Sequence, residues 1–175
     1  MINRRTFIYA FSSLAAAAGG IASYAHFWEA KRIRVSKKYI MSDRSPLGAP
    51  LKVLHISDLH ASCFVSLSFI ERAVRQALAE KPDLVCITGD FITFNVPHHD
   101  RYKQILKLLS NTAPTVACFG NHDGGKWAKR GIGYDERPMV QKLLSESDIL
   151  ILENESKNLL INHQKISIVG LDDIW

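Results

Sequence analysis

Three short apolar runs in this chain each end in side chains of the kinds that can ligate metal ions. Val53 to Ile56 runs into Ser57-Asp58-Leu59-His60, Leu84 to Thr88 into Gly89-Asp90, and Thr115 to Phe119 into Gly120-Asn121-His122-Asp123. In an extended strand alternate side chains leave the same face, so Asp58 and His60 are expected side by side where the first strand runs out. Asp58, His60, Asp90 and Asn121 are mostly hard oxygen donors with one borderline nitrogen, a set suited to Mn, Fe or Zn better than to Ca. A carboxylate central among three strand ends, as Asp90 is expected to be, can bridge two divalent ions. Ions about 3.5–4 Å apart clamp a phosphoryl group and lower the pKa of a bound water. His122, directly after Asn121, is placed to protonate a leaving oxygen or to orient the phosphoryl group.

Each feature has a plainer reading. Asp or Asn after a strand is commonly a turn former, and one alone would be read as structural. It is the repetition in order, at three strand ends, that points to a metal site. His55 precedes its strand end and reads as a satisfied core histidine. His98 and His99 follow Pro97 in a polar loop and read as surface. Lys126, Trp127, Lys129 and Arg130 either hold an anionic substrate over the site or form a solvated loop.

The elements that position these residues alternate. Apolar residues at Leu67, Ile70, Val74, Ala77 and Leu78 mark one helical face, ended by Lys81-Pro82-Asp83. A second helix is expected from Asp100 to Asn111 and a third from about Glu136 to Ser147. Ile149 to Leu152 reads as a fourth strand. Leu159–Ile161 and Ile166–Val169 read as a hairpin turning at Asn162-His163-Gln164. Strand-helix alternation followed by strands means an α/β layered domain. Open α/β sheets bind ligands at the carboxyl ends of their strands, where these motifs fall.

The 175 residues suit one domain, and 47% hydrophobic residues is enough for a core. The net charge of +5 is partly local. Arg4 and Arg5 lie at the start, and Lys31, Arg32, Arg34, Lys37 and Lys38 follow an apolar stretch, which fits an anionic membrane surface. No arginine stripe interleaved with aromatics points to nucleic acid. Cys63, Cys86 and Cys118 lack the spacing of a zinc ribbon or redox pair; the last two read as small core hydrophobes.

From Thr6 to Trp28 there is no Asp, Glu, Lys or Arg. Asn3-Arg4-Arg5-Thr6-Phe7-Ile8 before this stretch resembles a twin-arginine export signal, which would engage that export machinery. A membrane anchor with a positive flank is the alternative. The expected divisions are 1–28 as signal or anchor, 29–50 as a basic edge strand (Ile33 and Val35 alternating with basic residues) and a Pro/Gly linker, and 51–175 as the functional domain.

Asp58-Leu59-His60, Gly89-Asp90 and Gly120-Asn121-His122-Asp123 together resemble the first three motifs of the calcineurin-like metallophosphoesterases, over Leu51 to Trp175. The leader and Thr88-Gly89-Asp90-Phe91-Ile92-Thr93 resemble a bacterial branch of membrane-associated or exported phosphodiesterases. Some relatives of that branch split the pyrophosphate of UDP-2,3-diacylglucosamine in lipid A synthesis. The resemblance implies a four-layer α/β/β/α fold and a phosphoester hydrolase in which water activated by two metals attacks phosphorus. It implies that Asp58 and His60 bind the first metal, Asp90 bridges, Asn121 binds the second, and His122 is catalytic.

Two departures stand out. Many family phosphatases carry a supporting aspartate for the catalytic histidine where this chain has Thr93, and Asp123 is a poor substitute. The later histidine and Gly-His-x-His motif of the family are also missing; after His122 only His163 follows. The chain is therefore expected to be the front of a longer protein. The substrate is expected to be a phosphoester, lipid-linked in the narrower pyrophosphatase reading. A reading from another class is a non-catalytic metal- or phosphate-binding remnant.

Overall fold

A computed structural model of the chain describes residues 3–41, 50–95, 98–125, 128–130 and 133–172. By internal contact it divides into Met1–Lys37 and Lys38–Trp175. The first unit is built on one helix, α1 (Arg4–Phe27), capped by the Asn3 side chain accepting the Arg5 N–H at 3.3 Å. The span Arg4–Ala25 has a mean hydropathy of 1.3 and is long and apolar enough to cross a membrane. Glu29–Lys31 then forms a 3-10 turn. Residues 32–41 join no ladder among the described residues, so the edge strand expected here is not formed. Alternating residues alone make no strand when no neighbour offers hydrogen bonds. The expected linker lies almost wholly outside the described residues.

In the second unit β1 (Val53–Ser57), β2 (Leu84–Thr88), β3 (Thr115–Cys118) and β4 (Leu150–Ile151) form one parallel sheet in chain order. Parallel neighbours need crossovers, which are α2 (Leu67–Leu78), α3 (His99–Ser110) and α4 (Arg137–Ser145). Ser66 caps α2, its hydroxyl accepting the Phe69 N–H at 3.3 Å. The apolar stripes of the helices, Leu67, Ile70 and Val74, then Tyr102, Ile105, Leu106 and Leu109, then Val140, Leu143 and Leu144, are all buried. They meet Leu54, Ile56, Val85, Ile87 and Ala117 from one face of the sheet. Each large side chain taken fully from water contributes roughly 1.5–3 kcal/mol. Tyr102 is fully buried and its hydroxyl donates to the Phe91 carbonyl at 3.0 Å, which ties α3 to the loop after β2.

Alternation sends Val53, His55 and Ser57 to the opposite face, where all three are exposed. His55 is thus not a core histidine; it lies on the open face and hydrogen-bonds Thr88 Oγ1 at 2.8 Å. Cys86 and Cys118 are half-buried, and burial pushes both thiols up.

The chain ends its described part in an antiparallel hairpin, β5 (Glu155–Ile161) and β6 (Gln164–Gly170). Asn162 and His163 both have positive φ, 49° and 63°, as a two-residue type I′ turn requires. The hairpin is fastened to the sheet by Asn162 Nδ2 donating to Asp83 Oδ1 at 2.7 Å. Gly170 lies so close to Leu152 that a Cβ on it would come within 2.2 Å of the leucine Cβ. The α/β class is as expected. Of the four layers, the described residues supply one of helices, the parallel sheet and the hairpin.

Candidate metal centre

The site forms where β1, β2 and β3 stop. β1 ends at Ser57, and beyond it Asp58 and His60 both turn into the left-handed region, at φ 55° and 44°. Asp90, after β2, does the same at 55°. Asp58 and His60 are therefore brought to one side by a turn and not by strand alternation. Left-handed backbone costs of order 1–3 kcal/mol per non-glycine residue and persists only where its surroundings impose it. Here the two loops are clipped together. The Asp58 N–H donates to the Gly89 carbonyl at 3.3 Å, His60 to Asp90 at 2.8 Å, and Ala61 to Phe91 at 3.0 Å.

Two glycines let the loops after β2 and β3 touch. A Cβ on Gly89, itself at φ 64°, would fall 2.4 Å from the Gly120 nitrogen. A Cβ on Gly120 would fall 2.2 Å from Asp90 Oδ1. Only hydrogen fits in either place. Asp123, fully buried, then binds the loops to each other. Its carboxylate accepts the N–H groups of Asp90 at 2.7 Å, Phe91 at 2.8 Å and Gly120 at 3.0 Å. Burial pushes this carboxyl up to about 6, outweighing the three donors that favour its charged form. Asp123 thus organises the backbone on which Asp90 and His122 stand.

The functional atoms converge above this frame. His60 Nε2 lies 3.4 Å from Asp90 Oδ2 and 3.7 Å from Asp58 Oδ1. The His122 N–H donates to Asp90 Oδ1 at 3.0 Å, and its ring stands edge-on to His60 with centroids 4.7 Å apart. Donor atoms of His60, Asp90 and His122 all lie within 4.8 Å of one another. Asp90 is buried while the Asp58 side chain is 62% exposed, so one carboxylate is at the floor and one at the rim. Burial holds the His122 imidazole below its ordinary value; Asp90 pulls it upward, His60 pushes it down and Asp58 pulls it up. Asn121 is half-buried in the same turn, between Gly120 and His122. A buried carboxylate, a second carboxylate and two imidazoles closing on one small volume form a donor set that fits a divalent cation.

The family profile of the calcineurin-like phosphoesterases matches residues 51–175. The chain belongs to this family. It is 31% identical to "Phosphodiesterase YaeI" of Escherichia coli (strain K12), over the whole of this chain and 62% of that protein. It is 32% identical over 83 residues to "UDP-2,3-diacylglucosamine pyrophosphatase LpxG" of Chlamydia muridarum, covering 47% of this chain and 25% of that one. A solved structure of the phosphopantetheinyl hydrolase PptH of Mycobacterium tuberculosis aligns at a TM-score of 0.42 and 18% identity, over 71% of this chain and 43% of that one.

Against the phosphoesterase pattern, the other expected residues separate. Thr93, at the position of the family's supporting aspartate, contacts His60: its Oγ1 lies 2.9 Å from His60 Nδ1. His98 is exposed, His99 half-buried at the start of α3, and Cys63 exposed. Lys129 is exposed; Lys126, Trp127 and the Arg130 side chain lie outside what is described. His163 occupies the hairpin turn. Two residues that sequence reasoning undervalued, Thr93 and Asp123, prove to support the site. Both were visible only as a departure from the motif and as its last letter.

Proposed function

We propose that this chain belongs to a divalent-metal phosphodiesterase exported across or anchored to the bacterial cytoplasmic membrane. The observation that carries the reading is the convergence of Asp58, His60, Asp90 and His122 at three adjacent strand ends, on backbone held in an unfavourable conformation. Asp58 and His60 would hold one ion, Asp90 would bridge, and Asn121 would serve a second, the ions being Mn, Fe or Zn. When bound, such ions would act as Lewis acids on a phosphoryl group and lower the pKa of a water nucleophile that attacks phosphorus.

The chain's own residues do the rest. The Asp90 carboxylate is aimed by the frame around Gly89, Gly120 and Asp123. His122 would be the catalytic residue, its ring beside His60 and Asp90. Burial lowers the pKa of its imidazole, and the ring would either protonate a leaving oxygen or orient the phosphoryl group. Export or anchoring is supported by the apolar α1 behind Arg4-Arg5.

A finer reading, cleavage of the pyrophosphate in a lipid-linked nucleotide such as UDP-2,3-diacylglucosamine, is supported by the likeness to LpxG. The test is hydrolysis of a chromogenic phosphodiester and of UDP-2,3-diacylglucosamine by the complete gene product with Mn²⁺. Turnover of the diester that chelator abolishes and Mn²⁺ restores is expected. Metal binding with no turnover of either compound would leave the non-catalytic reading in its place.

A further inference from the structure

The His60 ring is held between two unlike neighbourhoods. On one side Nδ1 lies 2.9 Å from Thr93 Oγ1. On the other, Nε2 faces Asp90 Oδ2 at 3.4 Å and Asp58 Oδ1 at 3.7 Å. The Thr93 hydroxyl also reaches the carbonyl oxygen of His60 itself, at 3.5 Å. A carbonyl oxygen only accepts, so that contact takes the hydroxyl hydrogen. A hydroxyl oriented this way presents its oxygen to Nδ1 as an acceptor, which favours hydrogen on Nδ1. A neutral imidazole has one N–H, so Nε2 is left with its lone pair toward the two carboxylates.

The contact is fixed by backbone. The Thr93 N–H donates to the Ala61 carbonyl at 3.3 Å, and the Ala61 N–H to Phe91 at 3.0 Å, so the segment carrying Thr93 runs alongside the one carrying His60. The carboxylates around Nε2 would by themselves draw a hydrogen onto that nitrogen, the tautomer that cannot ligate. Thr93 opposes them from the far side of the ring.

We propose that Thr93 is a positioning residue that fixes the Nδ1–H tautomer and the orientation of His60, so that Nε2 is presented as a metal donor. The tautomer rests on the two Thr93 contacts outweighing the carboxylates; the donor role rests on the metal reading given above. Hydrogen-bond partners behind a ligating histidine set both its ring plane and its basicity.

The test compares the complete protein with Thr93→Ser and Thr93→Val. Two-bond ¹⁵N–¹H correlations of the metal-free, ¹⁵N-labelled proteins at about pH 8, where histidines are neutral, report the tautomer, with His60→Asn assigning the signal. Wild type and Thr93→Ser should carry hydrogen on Nδ1, and the nearly isosteric Thr93→Val should move it to Nε2. Mn²⁺ affinity should fall about 10–100-fold in Thr93→Val and be restored in Thr93→Ser. A proton on Nε2 in the wild type overturns the proposal, even if the valine variant does not fold. So does Thr93→Val with unchanged tautomer and unchanged affinity. Nδ1–H in the wild type with no Mn²⁺ bound by any variant overturns the metal reading of the site instead, and the donor role with it.

Discussion

The carboxylate of Asp123 accepts the backbone N–H of Asp90 at 2.7 Å, so the last residue of the third motif aims the carboxylate of the second. Because the same group accepts from Phe91 and Gly120, one side chain closes two loops into a single frame. The site is therefore only as rigid as a fully buried carboxylate whose charge is itself poorly favoured there.

Replacing that carboxylate should be costly. Asp123→Ala leaves buried N–H groups without their acceptor, at about 1–3 kcal/mol each, and should destabilise the fold by about 3 kcal/mol or more. Asp123→Asn should cost less and change the pH dependence. Burial raises the Asp123 pKa to about 6, so the folded chain holds this proton more tightly than the unfolded one. Its contribution is full below the ordinary value of 3.8 and is lost as pH rises through about 6. Urea denaturation of the metal-free protein from pH 4 to 7 should show the wild type losing stability relative to Asp123→Asn over that window. A difference independent of pH would mean the carboxyl titrates alike in both states.

A methyl group at Gly120 should strike the site directly. Its Cβ would be placed 2.2 Å from Asp90 Oδ1 and 2.6 Å from the Asp90 nitrogen, closer than any non-bonded contact allows, so the carboxylate and the backbone that carries it must move. Displacements near 1 Å at a reacting centre cost on the order of 10²-fold in rate. Gly120→Ala should therefore lose that much turnover while keeping a circular dichroism spectrum like wild type. Turnover within twofold of wild type would show that Asp90 has room the packing does not suggest.

Much of this was legible in the residues. β2 and α2 span the expected Leu84–Thr88 and Leu67–Leu78, because a short apolar run and a clear 3.6-residue stripe are strong local signals. Local signals also explain the misses. β5 begins at Glu155, ahead of its apolar residues, because pairing with β6 and not hydrophobicity carries it outward. Asp58 and His60 were expected together from strand alternation; they are together, but through left-handed turns stabilised by the neighbouring loop. Thr93 meets His60 and Asp123 meets Asp90 across 33 residues of chain, and no pattern in either segment announces the other. His55 lies on the uncovered face; apolar neighbours in sequence do not say which face of a sheet is covered.

The leader offers a separate test. Asn3-Arg4-Arg5-Thr6-Phe7-Ile8 before a weakly apolar helix would be read by the twin-arginine route through its paired guanidinium groups, whereas a plain anchor needs only positive charge. Arg4→Lys with Arg5→Lys should stop export of a reporter fused after Trp28. Unchanged localisation in the double variant and in cells lacking the pathway would remove the twin-arginine reading and leave the anchor.

The last expectation separates ligand from catalytic group in the complete protein. Asp90→Asn should abolish turnover and strip metal if Asp90 bridges two ions, since a carboxylate would neutralise charge at both and a neutral amide would not. His122→Ala should largely spare metal content and lower turnover on the order of 10²–10⁴-fold if the ring delivers a proton. In that case the penalty should be small for nitrophenolate, which leaves without help, and large for an alkyl diester, whose alkoxide needs the proton. If the ring instead donates a hydrogen bond to the phosphoryl oxygen, the penalty should be equal for both substrates. Metal content and rate, measured for both variants on both diesters, decide between these. Loss of metal in His122→Ala as complete as in Asp90→Asn would make His122 a ligand, consistent with its ring standing within 4.8 Å of the His60 and Asp90 donors, and would end its assignment as the catalytic group.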